Sequence, residues 1–310
     1  MSKNFISRSS CASSFIAFKK AVSCFDASEE ALSLVDTLSF LFDDEFNHTF
    51  DLSVVSNDNN MPVRFSVNDS SCRGRLLPFA EAYISCSDTN TDLSLLKSFS
   101  SLILSFGNDV QFTLGVQWDK KSKFPVLKAY FEDGSPVYEI FFNDSKRKKL
   151  FDMFSLPDMK IPSRDIPSII CADLRPDGSS DLKFYVKKNA VHALAPYVRD
   201  RNSLIFPKCY SESVPFYYYM EGLISGRKKL YMAYPADMAT DSRNNIVEAC
   251  RLFSSMRAVQ VLKKIKNWNH TAIEENCLLI PTLFSYSLDD CNIPAKASVY
   301  CHFLKKDKYE

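Results

Sequence analysis

A cation and a phenol spaced two residues apart recur along this chain. The pattern reads Lys128-Ala129-Tyr130 in PVLKAYFEDG, Lys183-Phe184-Tyr185 in SDLKFYVKKN and Lys229-Leu230-Tyr231 in GRKKLYMAYP. Ser298-Val299-Tyr300-Cys301-His302 echoes it near the C-terminus without the lysine. Residues two apart on a strand share a face, so each pair points the same way. Several pairs converging on one interior make a cationic site walled by phenol rings, suited to an anion with a hydrophobic, electron-poor tail. Like charges gathered out of water need an anion or carboxylates to offset them. A diphosphate meets that need with several charges and many acceptor oxygens. Phenol hydroxyls donate to phosphate, while ring faces attract a neighbouring carbocation and keep water from it.

Those pairs require strands, and the patterning supplies them in hairpins that alternate with helices. Residues 28–42, SEEALSLVDTLSFLF, have helical apolar spacing, a Ser cap and acidic residues in the first turn. HTFDLSVVSND and MPVRFSVND follow as alternating strands. LPFAEAYI and DLSLLKSFSSLILSF read as helices, and VQFTLGVQWDKKSKFPVLKAYFEDG as a second hairpin. PVYEIFFNDSKRKKLFDMF is expected to form one helix with its basic residues on a solvated face. SIICADLRPDGSSDLKFYVKK is a third hairpin turning at Pro176-Asp177-Gly178. HALAPYVRDR is a short helix, FYYYMEGLISGRKKLYMAYP a fourth hairpin and ATDSRNNIVEACRLFSSMRAVQVLKKIKNW the longest helix. TLFSYSLDD and AKASVYCHFLKK make the fifth hairpin.

Five helix–strand–strand units without a linker predict an α+β fold. Ten antiparallel strands close into a barrel surrounded by helices, which removes exposed sheet edges. The expected domain spans 28–310, after a partly ordered extension over 1–27. On the second strands one face is apolar: Val63/Phe65/Val67, Leu127/Ala129/Phe131, Leu182/Phe184/Val186, Leu230/Met232 and Val299/Cys301/Phe303. The other carries Arg64, Lys128, Tyr130, Lys183, Tyr185, Lys229, Tyr231, Tyr300 and His302. A merely wet face of an antiparallel sheet is the plainer reading. It leaves unexplained why Lys–Tyr pairs stand at equivalent places.

Composition narrows the classes. Across 310 residues the net charge is +1, so no global field points to nucleic acid or an anionic membrane. Hydrophobic content of 46% and 25 Phe against 7 Gly indicate a packed, aromatic-rich interior. The N-terminal apolar patch is too short and interrupted for a signal peptide, and no run is long enough to span a bilayer. Ten Cys without regular spacing, and no secretion signal, read as thiols in a cytoplasmic protein. P-loop, Rossmann and Gly-x-Ser-x-Gly motifs are absent, and four scattered His lack zinc-ligand spacing. Tyr217-Tyr218-Tyr219 reads as aromatic packing rather than a base-stacking platform.

The unit order and the strands LKAYF, DLKFYV, KKLYMAY and ASVYCHF resemble the αββα (ABBA) prenyltransferase family over roughly residues 28–305. The chain's length is similar to that of the bacterial members. Its first and fourth hairpins are similar to those of the cyanobactin peptide-modifying branch. The resemblance implies transfer of a dimethylallyl or geranyl group from an allylic diphosphate to a peptide side chain or small aromatic acceptor. Arg64, Lys128, Lys183 and Lys229 would bind the diphosphate, and Tyr130, Tyr185, Tyr231 and Tyr300 would shield the cation. Asp51 stands where the peptide branch has a Glu and is the first choice of base, with Glu221 and His302 as fallbacks. No cofactor is required, since the cations replace a metal as in the fungal members. Magnesium, used by some peptide-branch members, remains an option through Asp51 and Asp173. A monomer is expected. A barrel that binds a hydrophobic anion without turning it over is the alternative.

Overall fold

The computed structural model describes residues 18–23, 29–38, 49–55, 63–69, 74–118, 123–132, 134–158, 161, 166–188, 217–221, 228–233, 263, 267, 277–288 and 294–305. In β1, β7, β8 and most of β9 and β10 the description is of the backbone. The elements in chain order are α1 (Glu29–Leu38), β1 (Thr49–Val55), β2 (Val63–Asp69), α2 (Leu76–Cys86), α3 (Leu93–Leu104), β3 (Gln111–Gln117), β4 (Val126–Glu132), α4 (Ser135–Phe142) and α5 (Asp144–Met153). They continue with β5 (Ile169–Leu174), β6 (Ser180–Lys188), β7 (Tyr217–Glu221), β8 (Lys228–Ala233), β9 (Cys277–Leu288) and β10 (Pro294–Lys305). The expected short helix HALAPYVRDR lies outside the described residues. So does the longest helix, apart from 263 and 267, which are helical.

This is a mixed α+β fold on an antiparallel sheet. Each strand from β2 to β9 pairs with both of its sequence neighbours. β1 also pairs with β10, setting Asp51 opposite His302. The β5–β6 turn forms where Pro176-Asp177-Gly178 predicts it. Gly178 has a φ of +87°, a backbone state that side chains disfavour, and its N–H donates to Arg175 O at 3.1 Å.

Period-two alternation decides which side of each strand meets the helices. Phe65, Val67, Phe112, Leu114, Val116, Leu127, Ala129, Phe131, Ile170, Ala172, Leu174, Leu182 and Phe184 are buried in one cluster with apolar residues of the helices. α2 packs on β2 and β3, and α3, α4 and α5 pack on one another beside it. Residues 18–23 are helical, and Phe18 meets Phe65 edge-on with centroids 5.0 Å apart. Phe131 sits between Phe99, at 5.3 Å, and Phe112, at 5.2 Å, both edge-to-face.

The segment expected as one helix over PVYEIFFNDSKRKKLFDMF is two. Asn143 is extended, with φ −101° and ψ 104°, and its side chain accepts from Lys146 N, so it ends α4 and caps α5. Nor are all its basic residues solvated. Arg147 is buried, donates from Nη1 to Phe141 O at 3.2 Å and pairs with Asp144 at 2.7 Å. The turn between the helices leaves Phe141 O without a helical donor, and the guanidinium supplies one. Among the described residues no helix is long and apolar enough to cross a membrane.

Candidate functional site

The face of β2–β6 turned away from the helices carries the site. β4 contributes Lys128 and Tyr130, with Leu127, Ala129 and Phe131 anchored in the helix-side core on either side. On β5, Ile170, Ala172 and Leu174 take the core, which leaves Cys171 and Asp173 on the site face. β6 adds Lys183 and Tyr185, held by Leu182 and Phe184. Register then brings the chemistry together: Lys128 stands opposite Asp173, and Cys171 stands between Tyr130 and Lys183.

Asp173 is the centre of the cluster. Its Oδ2 accepts from Lys128 Nζ at 2.7 Å and also from Lys183 Nζ. Its Oδ1 accepts from the Cys171 thiol at 3.5 Å. Asp173 is the deepest of the three charged groups: side-chain exposure is 5% for Asp173, 10% for Lys128 and 26% for Lys183. Arg64, on the same face of β2, is close enough to repel both ammonium groups. Its Nε is buried without a hydrogen-bond partner. Lys128 and Lys183 thus share one carboxylate with Arg64 nearby, and among the described residues the cluster has an excess of positive charge.

Burial and charge pull these groups in different directions. Desolvation drags the Lys128 ammonium down to about 8; Asp173 opposes it, while Lys183 and Arg64 add to it. Lys183 is also desolvated, yet it is less enclosed, and the Asp173 charge and hydrogen bond carry its pKa above the ordinary value. Burial works to raise Asp173, but the two ammonium groups outweigh it and hold the carboxyl well below the usual range. Burial pushes the Cys171 thiol well up, with Asp173 adding to the shift.

Beside the charges lies the aromatic wall. Tyr130 and Tyr185 sit with ring centroids 5.9 Å apart and planes tilted by 59°. Cys171 and Tyr185 are buried together, with Tyr130, Ile169 and Tyr300 packed against them. Gly115 makes room for this arrangement. A Cβ there would lie 2.9 Å from Tyr130 Cε2 and 3.1 Å from Lys128 Cβ, closer than packed atoms sit.

Of the residues singled out from the sequence, Arg64, Lys128, Lys183, Tyr130, Tyr185 and Tyr300 come together here. The side chains of Asp51, Glu221, Lys229, Tyr231 and His302 lie outside the described residues. Their backbones place Asp51 opposite Ser66 and His302, Lys229 opposite Met220 and Ser287, and Tyr231 opposite Tyr218 and Ser285. Three members were missed as such: Asp173 as the partner of both lysines, Cys171 and Gly115. The alternation in SIICADL would have put Cys171 and Asp173 on the polar face; the clearance over Gly115 has no sequence signal.

No family model matches the sequence, and no curated protein matches it significantly. Solved structures do. 5-Dimethylallyltryptophan synthase from Streptomyces coelicolor superposes with a TM-score of 0.60 at 13% identity, over 97% of this chain and 99% of that one. The chain has the ABBA prenyltransferase fold. Prenyltransferase PriB, in a ternary complex with L-tryptophan and dimethylallyl thiolodiphosphate, superposes with a TM-score of 0.60 at 11% identity, over 96% of each chain. NotF in complex with brevianamide F and the same kind of diphosphate analogue gives 0.58 at 10% identity, over 98% of this chain and 97% of that one. Against that fold, the polar cluster occupies the sheet face opposite the helices.

Proposed function

We propose that this protein is a prenyltransferase that moves a dimethylallyl or geranyl group from an allylic diphosphate to an electron-rich aromatic or peptide acceptor. The observation that carries this reading is the convergence of Lys128 and Lys183 on one carboxylate, with Arg64 close by, beside Tyr130, Tyr185 and Tyr300. In this reading the sheet closes into a ten-stranded barrel within a single domain over 28–310, supported by the pairing of β1 with β10. The polar face is then the lumen, and the helix of residues 18–23 joins the core from the N-terminal extension.

The diphosphate takes the positive charge that Asp173 leaves unbalanced. Its C1–O bond breaks, the electron pair leaves on the diphosphate oxygen, and an allylic cation remains. The cations stabilise the developing leaving-group charge in a water-poor site, where such interactions are strongest. Tyr130, Tyr185 and Tyr300 face the cation with their rings and exclude water. Lys229 and Tyr231 complete the ring in this reading. The acceptor attacks C1 with a π or lone pair, and its proton passes to a base. Asp51 is the first choice, opposite His302 in register, with His302 and Glu221 as alternatives. Asp173 does not suit a magnesium ligand, because both its oxygens are already engaged by Lys128, Lys183 and Cys171.

The acceptors seen with the structural neighbours, L-tryptophan and brevianamide F, set the first panel to try. The chain is incubated with dimethylallyl or geranyl diphosphate and tryptophan, tryptophan-containing cyclic dipeptides, phenols and peptides. Diphosphate release matched by a gain of one prenyl unit in an acceptor is the expected result. Tight binding of the diphosphate without turnover would make the protein a carrier of hydrophobic anions instead.

A further inference from the structure

Resting on that reading of the site, we propose that Asp173 is a positioning residue that holds Lys128 and Lys183 as a charged, aimed pair from behind the diphosphate. Two ammonium groups on strands separated by β5 have no intrinsic reason to converge; they repel. Here both donate to the same oxygen, Oδ2, of a carboxylate more buried than either of them. Oδ1 is held in turn by the Cys171 thiol, which fixes the carboxylate plane. Each ammonium has three N–H donors and spends one on Asp173, so two remain on each for phosphate oxygens. The carboxylate therefore need not be displaced when the ligand arrives.

Charge state depends on the same contact. Lys128 is faced by Asp173 and Cys171 on β5, Lys183 on β6 and Arg64 on β2, and of these Asp173 supplies the strongest upward pull. With Asp173 present the ammonium titrates at about 8, so it stays charged at neutral pH. Without it, burial and two neighbouring cations act on Lys128 against the weaker pull of Cys171 alone, and it loses its proton at a lower pH. A carboxylate that served only as packing would not move that titration.

The test uses the full-length chain and its Asp173→Asn and Asp173→Glu variants, with inorganic pyrophosphate as the calorimetric probe and prenyl transfer as the second readout. The wild type should bind pyrophosphate, and its kcat/KM should fall as pH rises through about 8, where free Lys128 deprotonates. Asp173→Asn should weaken pyrophosphate by about tenfold or more, the range for losing a hydrogen bond to a charged group. It should also move the alkaline limb to lower pH. Asp173→Glu should restore both in large part. Asparagine leaving the affinity and the limb unchanged, or tightening binding, overturns the inference. If Asp173→Asn folds only with pyrophosphate present, the ligand is replacing the missing anion, as expected; failure to fold even then makes Asp173 a structural pillar and overturns it. A wild type that ignores pyrophosphate sinks the prenyl-transfer reading itself, a distinct result.

Discussion

On β4, Leu127, Ala129 and Phe131 enter a layer shared with the helices, while Lys128 and Tyr130, interleaved with them, face a carboxylate and two other phenols. The same division runs through β5 and β6. On the helix side each residue touches many equivalent neighbours, and the attraction is non-directional, so loss of one is shared among the rest. On the other side Lys128, Lys183 and Asp173 are tied to one another by specific hydrogen bonds, and loss of one is not shared among equivalent neighbours. Stability and chemistry are thus assigned to alternate residues of the same strands.

That contrast is broken most severely at Lys183. Lys183→Ala removes one of the three cations of the cluster among the described residues and should lower kcat/KM by about a hundredfold to a thousandfold, as for loss of a transition-state donor. Its thermal midpoint should stay near the wild-type value; near-normal turnover would remove Lys183 from the site. The opposite signature belongs to Phe131. Phe131→Ala leaves a hole between Phe99 and Phe112 and should cost about 3–5 kcal/mol in denaturant unfolding, with kcat per folded molecule little changed. A large drop in kcat at full folding would show that the two faces are coupled. The smallest effect is expected at Gly115. Gly115→Ala pushes a methyl group against Tyr130 and the Lys128 stem, and should raise KM for the diphosphate several-fold with a minor stability change. An unchanged KM would mean that these side chains move aside freely.

How much of this could be read in the chain follows the range of the interaction. Alternation in VLKAYFE and DLKFYV is local, and it assigned both faces of β4 and β6 correctly. Asp173 was legible as a polar-face residue but not as a partner to two lysines. That depends on register across β4, β5 and β6, which no single segment specifies. The break at Asn143 had a signal in the chain: Asn143-Asp144-Ser145 opens a run of seven polar residues, and the Asn143 side chain takes the backbone N–H of Lys146. The burial of Arg147 has no signal in composition, which cannot show that a nearby turn leaves the carbonyl of Phe141 for it.

The pairing of β1 with β10 has a consequence for how the chain reaches this state. Asp51 and His302 meet across nearly the whole sequence, whereas β2 through β6 pair only with neighbours in order. Contacts so distant along the chain are slow to form, because loop-closure entropy must be met before they contribute. During synthesis β1 is made about 240 residues before β10 and waits for it. Until then its outer edge can pair with another molecule's strand. A chain truncated before β10 is therefore expected to self-associate through β1, and the yield of full-length protein should depend on concentration during refolding more than on final stability.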